Sequence, residues 1–154
     1  FQQVGGIDLD PISCEITYGL ERICMIVQQK SSIFDILWGK DVSYKDLHLE
    51  DEYQWCKYNF ELADVERLRL LFNEYEKEAE RLLESGLTFP AYDYVLKCSH
   101  TFNLLDARGA ISVVQRTQYI SRIRKLASKA AENYLKSREA LGYPLLNKAW
   151  RKGA

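Results

Sequence analysis

Long hydrophobic runs are missing from this chain of 154 residues. No uninterrupted apolar stretch approaches the roughly 20 residues that a membrane-spanning helix requires, so we expect no membrane partner. Hydrophobic residues still make up 47% of the sequence and aromatic residues 12%. This is enough apolar material for the core of one modest domain, or for the end of one domain followed by a helical segment. Internal repeats and low-complexity segments are also missing.

Residues suited to metal binding and nucleophilic catalysis are scarce. Only two histidines, His48 and His100, could supply nitrogen ligands. No Cys-x-x-Cys pair occurs among the widely spaced cysteines, which are Cys14, Cys24, Cys56 and Cys98. This pattern favours reduced, mostly buried thiols in a cytosolic protein over a disulfide framework or a zinc site. No Ser-His-Asp or Cys-His order indicates a nucleophile, and we assign no metal ligands.

The net charge of −1 hides an uneven distribution of charge. Residues 1–96 carry 9 basic and 19 acidic side chains, and the remaining residues carry 12 basic and 3 acidic ones. Most of the later basic residues fall on one predicted helix, which could attract RNA phosphates. Alternatively, the basic helix packs beside an acidic helix containing Glu76 and Glu84. We favour packing, because no RNA-recognition signature or aromatic stacking platform accompanies the charge.

The hydrophobic period changes within residues 12–27. Alternating apolar and polar residues predict a half-buried strand over residues 12–17. From Ile16 the apolar spacing becomes helical and predicts one stripe packed on a core, with Thr17 as the helix cap. The junction places a carboxylate, bare backbone at Gly19 and a guanidinium at Arg22 close together in sequence. Such groups suit an ammonium, a flat ring and a phosphate.

A structural interpretation of the same residues stays open at this point. Glu15 could be an exposed strand carboxylate, and Glu21 and Arg22 could form a solvated charge pair on a helix. Gly19 could merely permit close packing. Spacing alone does not decide between the two interpretations.

Three helices are predicted in the rest of the chain. One covers residues 65–84, with Asp64 as its cap and Ser85-Gly86 at its end. The next runs from Thr88, as cap, to about residue 105. The last opens with a capping box of Ser112 and Gln115 and ends near residue 141.

Two connections are predicted to be irregular. Residues 31–47 suggest a small strand pair or an irregular loop. Residues 103–109 are predicted to be nonhelical, with Asp106 and Arg108 either in an amino-acid pocket or, as we favour, in a polar clasp between helices. His100 is interpreted as a packing residue rather than a general base.

Several segments, in order, resemble the alpha subunit of the bacterial heterotetrameric glycyl-tRNA synthetase. Gly-Leu-Glu-Arg at residues 19–22 resembles motif 3 of class II aminoacyl-tRNA synthetases, whose arginine binds the terminal phosphates of ATP. The similarity extends to residues 137–144. The other segments are Phe1-Gln-Gln-Val-Gly-Gly6, Glu15-Ile-Thr-Tyr18, Tyr58-Asn-Phe-Glu-Leu-Ala-Asp64, Tyr75-Glu-Lys-Glu-Ala79 and Ser99-His-Thr-Phe-Asn-Leu-Leu-Asp-Ala-Arg108.

The resemblance implies an α+β fold. Residues 1–49 would form the end of a class II antiparallel sheet with the motif 3 strand and helix, and residues 50–154 a mainly α-helical C-terminal domain. Motif 1 and the motif 2 arginine cannot be located in the chain, which begins at Phe1. We therefore expect the C-terminal half of the subunit, inactive when isolated.

The resemblance also implies roles for individual residues. Arg22 would be the catalytic residue and would bind ATP together with Gly19 and Glu21, with Mg²⁺ bridging the phosphates. Glycine would be bound by the following four residues: Gln2, Gln3, Glu15 and Thr17.

The implied partners are glycine, tRNA(Gly), the beta subunit and a second alpha subunit, in the cytoplasm. The function implied is glycine–tRNA ligation through glycyl-adenylate. The alternative is a noncatalytic assembly or RNA-docking module that retains motif 3 as a structural remnant.

Overall fold

A computed structural model of the chain describes residues 1–144. It contains one two-stranded antiparallel sheet and is otherwise mainly helical, which confirms the α+β class. The chain divides into two compact units. The first unit comprises Phe1–Ile12 and the chain from Asp64 onward, and the second comprises Ser13–Ala63. The predicted boundary after residue 49 falls inside a helix of the second unit and stays a prediction about the family's catalytic domain.

The first unit begins with a short hairpin. Strand β1 (Gln3–Val4) pairs antiparallel with β2 (Ile7–Asp8). Gly5 and Gly6 form the turn with φ angles of 59° and 81°, which glycine adopts without steric cost.

Three helices follow in this unit, α3 (Val65–Glu84), α4 (Thr88–Ala107) and α5 (Val113–Ala140). Two earlier helices, α1 and α2, belong to the second unit. The predicted cap of α3 is confirmed, because Asp64 accepts a hydrogen bond from the backbone N–H of Arg67. The capping box of Ser112 and Gln115 at the start of α5 is also confirmed.

The core of the first unit lies between these helices. Phe72, Cys98 and Leu105 are fully buried, and Tyr119 packs edge-on against Phe72 with 4.6 Å between ring centroids. The apolar stripes of α3, α4 and α5 thus bury one another, as their helical spacing predicts.

The hairpin of this unit is anchored on α5. A Cβ atom on Gly5 would lie 3.0 Å from Cα of Ser128, 3.1 Å from Cβ of Ala131 and 3.2 Å from the carbonyl oxygen of Ala127. The turn thus packs backbone to backbone on small residues.

Basic side chains of α5 pair with acidic side chains of α3. The Nε of Arg122 donates to Glu76 at 2.8 Å, and a second guanidinium nitrogen contacts both Glu76 and Asn73. Lys129 lies 3.7 Å from Glu84. The packing interpretation of the basic helix is therefore confirmed for Arg122 and Lys129.

The end of α4 differs from the prediction. Residues 103–107 continue the helix, because Leu104 and Leu105 are buried and extend its apolar face. Asp106 pairs with Arg116 of α5 at 3.3 Å. A polar clasp between helices is therefore present, and the arginine that pairs with Asp106 is Arg116. Thr88 is the first residue of α4 and not its cap.

The second unit contains shorter elements. They are α1 (Leu20–Val27), a 3₁₀ helix (Ile33–Asp35), α2 (Tyr44–Lys57) and a π-helix (Tyr58–Leu62). Ser43 and Asp46 form a capping box at the start of α2. The irregular connection predicted for residues 31–47 is confirmed up to Ser43, with one isolated bridge between Leu37 and Ser43.

The strand predicted over residues 12–17 is wrong. Residues 12–19 carry no regular secondary structure, and Ile12 and Ile16 are exposed. A strand needs a neighbour for its backbone hydrogen bonds, and within residues 1–144 the strands β1 and β2 pair only with each other.

The four thiols are free, as predicted, but the prediction that most of them are buried is wrong. Cys98 is buried, whereas Cys14 and Cys56 are exposed and Cys24 is half-buried. His100 is exposed, so the packing role predicted for it is wrong. Over residues 1–144, every helix is too short or too polar to traverse a bilayer.

Candidate functional site at the start of helix α1

The polar residues of the predicted junction lie in the second unit, before and within α1. In the approach to the helix, the hydroxyl of Thr17 donates a hydrogen bond of 2.5 Å to Oε1 of Glu15. Both side chains are exposed. Glu15 and Thr17 therefore form a hydrogen-bonded pair of side chains, although the backbone between them is not a strand.

The first turn of α1 has open backbone donors. Gly19 is the N-cap residue, with φ 78° and ψ 126°, and no side chain caps the helix. The predicted cap role of Thr17 is wrong, because its hydroxyl bonds Glu15 instead. The first N–H groups of a helix have no partner within the helix and attract anions.

Arg22 lies in this first turn, because the helix begins at Leu20. Its side chain is exposed and forms no ion pair with any residue of the described range 1–144. Arg122, in contrast, is held by Glu76. The guanidinium of Arg22 is therefore open to a ligand.

Glu21 places a carboxylate beside Gly19. A Cβ atom on Gly19 would lie 3.9 Å from Oε2 of Glu21, and Glu21 is half-buried. Partial burial raises the pKa of the Tyr44 hydroxyl, and the negative charge of Glu21 adds to this rise in pKa. Glu21 therefore lies beside the start of α1, and its charge acts on the Tyr44 hydroxyl.

Two features near α1 were missed by the sequence reasoning. Gln28, at the end of α1, accepts from the Leu37 N–H at 2.8 Å and donates to the Leu37 carbonyl at 3.0 Å. Tyr44 and His48 pack with 4.5 Å between ring centroids and an angle of 41° between the ring planes. The four-residue spacing of Tyr44 and His48 on a helix was a usable signal, whereas nothing in the sequence indicated the contact of Gln28 with the backbone.

Gln2 and Gln3 belong to the first unit. The Nε2 of Gln3 donates to Oδ1 of Asp8 across the hairpin at 2.6 Å, and the carbonyl of Gln2 accepts from the N–H of Leu9 at 2.9 Å. Both glutamines are exposed.

The arrangement suits the stabilisation of charge on bound groups. The second unit brings together Glu15 with Thr17, and Gly19 with Glu21 and Arg22 on the first turn of α1. Among residues 1–144, no group of three or more His, Cys, Asp or Glu residues could hold a metal ion. Open amides and a guanidinium bind phosphate, and a carboxylate with a hydroxyl binds an ammonium.

The comparison with known families agrees with the resemblance seen in the sequence. A family model described as "Glycyl-tRNA synthetase alpha subunit" matches residues 1–139 of the 154. This match includes the hairpin, the start of α1 and nearly all of the helical part of the first unit. It identifies a ligase family that functions in aminoacylation of tRNA, and the chain therefore belongs to the glycyl-tRNA synthetase alpha subunit family.

Proposed function

We propose that the start of α1 binds the phosphates of ATP in a class II synthetase reaction that activates glycine. The carboxylate of glycine attacks the α-phosphorus of ATP, pyrophosphate leaves, and the glycyl group is then transferred to the terminal ribose of tRNA(Gly). This reaction needs no protein nucleophile. The protein supplies alignment of the reactants and stabilisation of negative charge.

The observation that carries the proposal is the guanidinium of Arg22, which has no ion-pair partner within residues 1–144 and lies on a helix turn without a side-chain cap. A guanidinium binds two phosphate oxygens at once. The open N–H groups that follow Gly19 add donors and the positive end of the helix dipole. A helix whose first turn was already capped by Thr17 would offer one donor fewer.

Glu15 and Thr17 are proposed to bind the substrate ammonium. The Thr17 hydroxyl donates a hydrogen bond to Oε1 of Glu15, which leaves the other carboxylate oxygen and the hydroxyl lone pairs as acceptors. An ammonium has three donors and no acceptor, so it complements this pair. Glycine offers no side chain to grip, and alanine would have to be excluded by crowding at the α-carbon.

Glu21 is the residue that we propose to act with Mg²⁺. A single carboxylate beside substrate phosphates is the usual protein share of a Mg²⁺ site, the remaining ligands being phosphate oxygens and water. The half-buried carboxylate of Glu21, beside Gly19, fits that requirement. Glu21 would orient a metal-bound water or the guanidinium of Arg22.

The family's name as an alpha subunit supports a larger assembly. We propose that this chain acts with a second alpha subunit and with beta subunits, and that the beta subunits make most of the contacts with tRNA. Two basic residues of α5, Arg122 and Lys129, pair with acidic residues of α3, so these two side chains are engaged within the chain.

Replacement of Arg22 tests the phosphate site. In the complete enzyme, Arg22→Ala is expected to remove about 1.5 to 3 kcal/mol of charge-assisted hydrogen bonding, or roughly a 10- to 150-fold loss in ATP–pyrophosphate exchange. Arg22→Lys should restore this only in part. Arg67→Ala is the matched control, since Arg67 is also exposed in the first turn of a helix. Exchange unchanged by Arg22→Ala would remove Arg22 from the site.

Replacement of Glu15 tests the ammonium site separately. Glu15→Gln keeps the shape and removes the charge, so glycine binding should weaken by about 1.5 to 3 kcal/mol. The Michaelis constant for glycine should rise accordingly, while that for ATP stays unchanged. Thr17→Ala should cost less, about 0.5 to 1.5 kcal/mol. Equal effects on glycine and ATP would show that Glu15 supports the fold instead.

A further inference from the structure

The end of α1 is tied to the chain that follows it by the side chain of Gln28. Its Oε1 accepts a hydrogen bond of 2.8 Å from the N–H of Leu37, and its Nε2 donates one of 3.0 Å to the carbonyl of Leu37. The donor end and the acceptor end of the amide are therefore both used. Gln28 is also the C-cap residue of α1, and its backbone N–H donates to the carbonyl of Cys24 at 2.8 Å.

Leu37 lies in a segment that is held by the start of α2 and by the turn before it. The carbonyl of Ile36 accepts from the N–H of Tyr44 at 2.7 Å, and the N–H of Trp38 donates to the carbonyl of Val42 at 2.8 Å. Ile36 is also buried. Because the residues on both sides of Leu37 are fixed, this residue is a firm attachment point within the second unit.

Packing holds the direction of α1 only weakly. The helix has 8 residues, and none of them is buried. A helix of this length is marginal in water by itself. Within residues 1–144, the side-chain hydrogen bonds that join residues 20–28 to another part of the chain are the two made by Gln28. These two bonds therefore have a large share in setting the direction in which α1 points.

We propose that Gln28 is a positioning residue for the guanidinium of Arg22 at the phosphate site. This inference rests on the proposed function. Both residues belong to the second unit, and the six residues from Arg22 to Gln28 span about 9 Å along a helix. A tilt of α1 by about 10° about its C-terminal end would move Arg22 by about 1.6 Å. A displacement of this size is enough to weaken a bidentate contact with phosphate.

Gln28→Met tests the proposal in the complete enzyme. Methionine is also long and unbranched, but it cannot replace the two hydrogen bonds. In ATP–pyrophosphate exchange, we expect the Michaelis constant for ATP to rise about 3- to 10-fold and that for glycine to stay unchanged. An unchanged Michaelis constant for ATP would overturn the proposal. An equal rise in both constants would also overturn it, because it would indicate a general loss of structure.

Gln54→Met is the matched control. Gln54 is exposed, and its side chain bonds Glu50 within α2 at 2.9 Å. The control thus removes a glutamine hydrogen bond that joins no two segments, so both Michaelis constants should stay unchanged. A rise for ATP equal to that with Gln28→Met would contradict a specific role of Gln28.

Gln28→Asn provides a second test without an apolar side chain at this position, should the methionine variant fail to fold. Asparagine keeps the amide but is one methylene shorter, so it cannot reach the N–H and the carbonyl of Leu37 in the same way. The same selective rise in the Michaelis constant for ATP is expected. A constant equal to that of the unsubstituted enzyme would count against the proposal.

A double-mutant cycle with Arg22 distinguishes positioning from a merely structural role. An Arg22→Ala enzyme has no guanidinium to position, so Gln28→Met should change its Michaelis constant for ATP by less than about 2-fold. Effects of the two substitutions that multiply fully would show that Gln28 acts independently of Arg22 and would sink the inference.

The failure of this inference is distinguishable from failure of the proposed function. If Arg22→Ala slows exchange but Gln28→Met leaves the Michaelis constant for ATP unchanged, the inference alone is wrong. If Arg22→Ala leaves exchange unchanged, the proposed phosphate site and the inference both fall.

Discussion

The two units of the molecule differ in how they use their apolar residues. The first unit has a closed core, with Phe72, Cys98 and Leu105 fully shielded from solvent. In the second unit, all of which is described, only Ile36 and Ala63 are buried. Helix α1 has a strongly apolar stripe and no buried residue at all.

This difference shows what hydrophobic spacing specifies. A helical apolar stripe indicates that a helix has a packing face, but it does not say which segment covers that face. The stripes of α3, α4 and α5 meet one another. The stripe of α1, including Leu20 and Ile23, remains exposed in the second unit, although its spacing is equally regular.

The largest expected effect is on the free energy of unfolding, when an apolar side chain is shortened in each unit. Phe72→Ala should destabilise the chain by about 3 to 5 kcal/mol, since it opens a cavity in a closed core. Leu20→Ala, at a side chain that is 77% exposed, should change the free energy of unfolding by less than about 0.5 kcal/mol. Urea unfolding followed by circular dichroism measures both. Equal costs for the two variants would break the comparison.

A smaller effect is expected for the ion pairs that join α5 to α3. Arg122→Ala should cost about 2 to 3 kcal/mol, because it removes charge-assisted bonds to Glu76 and a guanidinium stacked 4.5 Å from the Phe72 ring centroid. Lys129→Ala should cost less than about 1 kcal/mol, since its contact with Glu84 is long and exposed. Thermal unfolding of both variants checks this ranking. A cost for Lys129→Ala that matches that of Arg122→Ala would contradict it.

The smallest effect concerns the alkylation rates of the cysteine thiols, which distinguish the two units without any mutation. Burial raises the pKa of the Cys98 thiol to about 12, with the charge of Glu76 adding to the rise. At pH 8 an alkylating reagent should therefore modify Cys14 and Cys56 rapidly and spare Cys98, as peptide mass spectrometry would show. Modification of Cys98 at the same rate would mean that the core opens readily.

The same shift predicts a dependence of stability on pH. A cysteine in the unfolded chain has a pKa of about 8.5, and the folded value for Cys98 is higher. The folded chain thus retains a proton that the unfolded chain loses. The contribution of Cys98 to stability is complete below pH ~8.5 and declines as the pH rises towards 12. Cys98→Ala should flatten this alkaline decline in urea-unfolding experiments.

Most of the first unit could be predicted from the sequence because local chemistry marks its helix ends. Asp64 and Ser112 cap α3 and α5 as their side chains predict. The end of α4 could not be predicted, because the tertiary burial of Leu104 and Leu105 outweighed the polar residues around them.

The residues of the candidate site stay a prediction, whereas their local geometry could not be predicted from the sequence. The family pattern led to Glu15, Thr17, Gly19 and Arg22. Sequence could not show that Thr17 bonds Glu15 rather than capping α1, since a hydroxyl in this position has two competing partners. A strand was predicted because polar and apolar residues alternate, as they do in a strand with one buried face. The alternation does not show whether a neighbouring strand is present to accept its backbone hydrogen bonds.

The contact between Gly5 and α5 has a consequence for the order of folding. It joins the two ends of the first unit, and the chain between them leaves that unit at Ile12 and returns at Asp64. Contacts between α3, α4 and α5 are closer in sequence, so they form at a smaller cost in loop-closure entropy. The hairpin should therefore dock last. A ribosome would have to synthesise residues 127–131 before the earliest part of this chain could reach its final place.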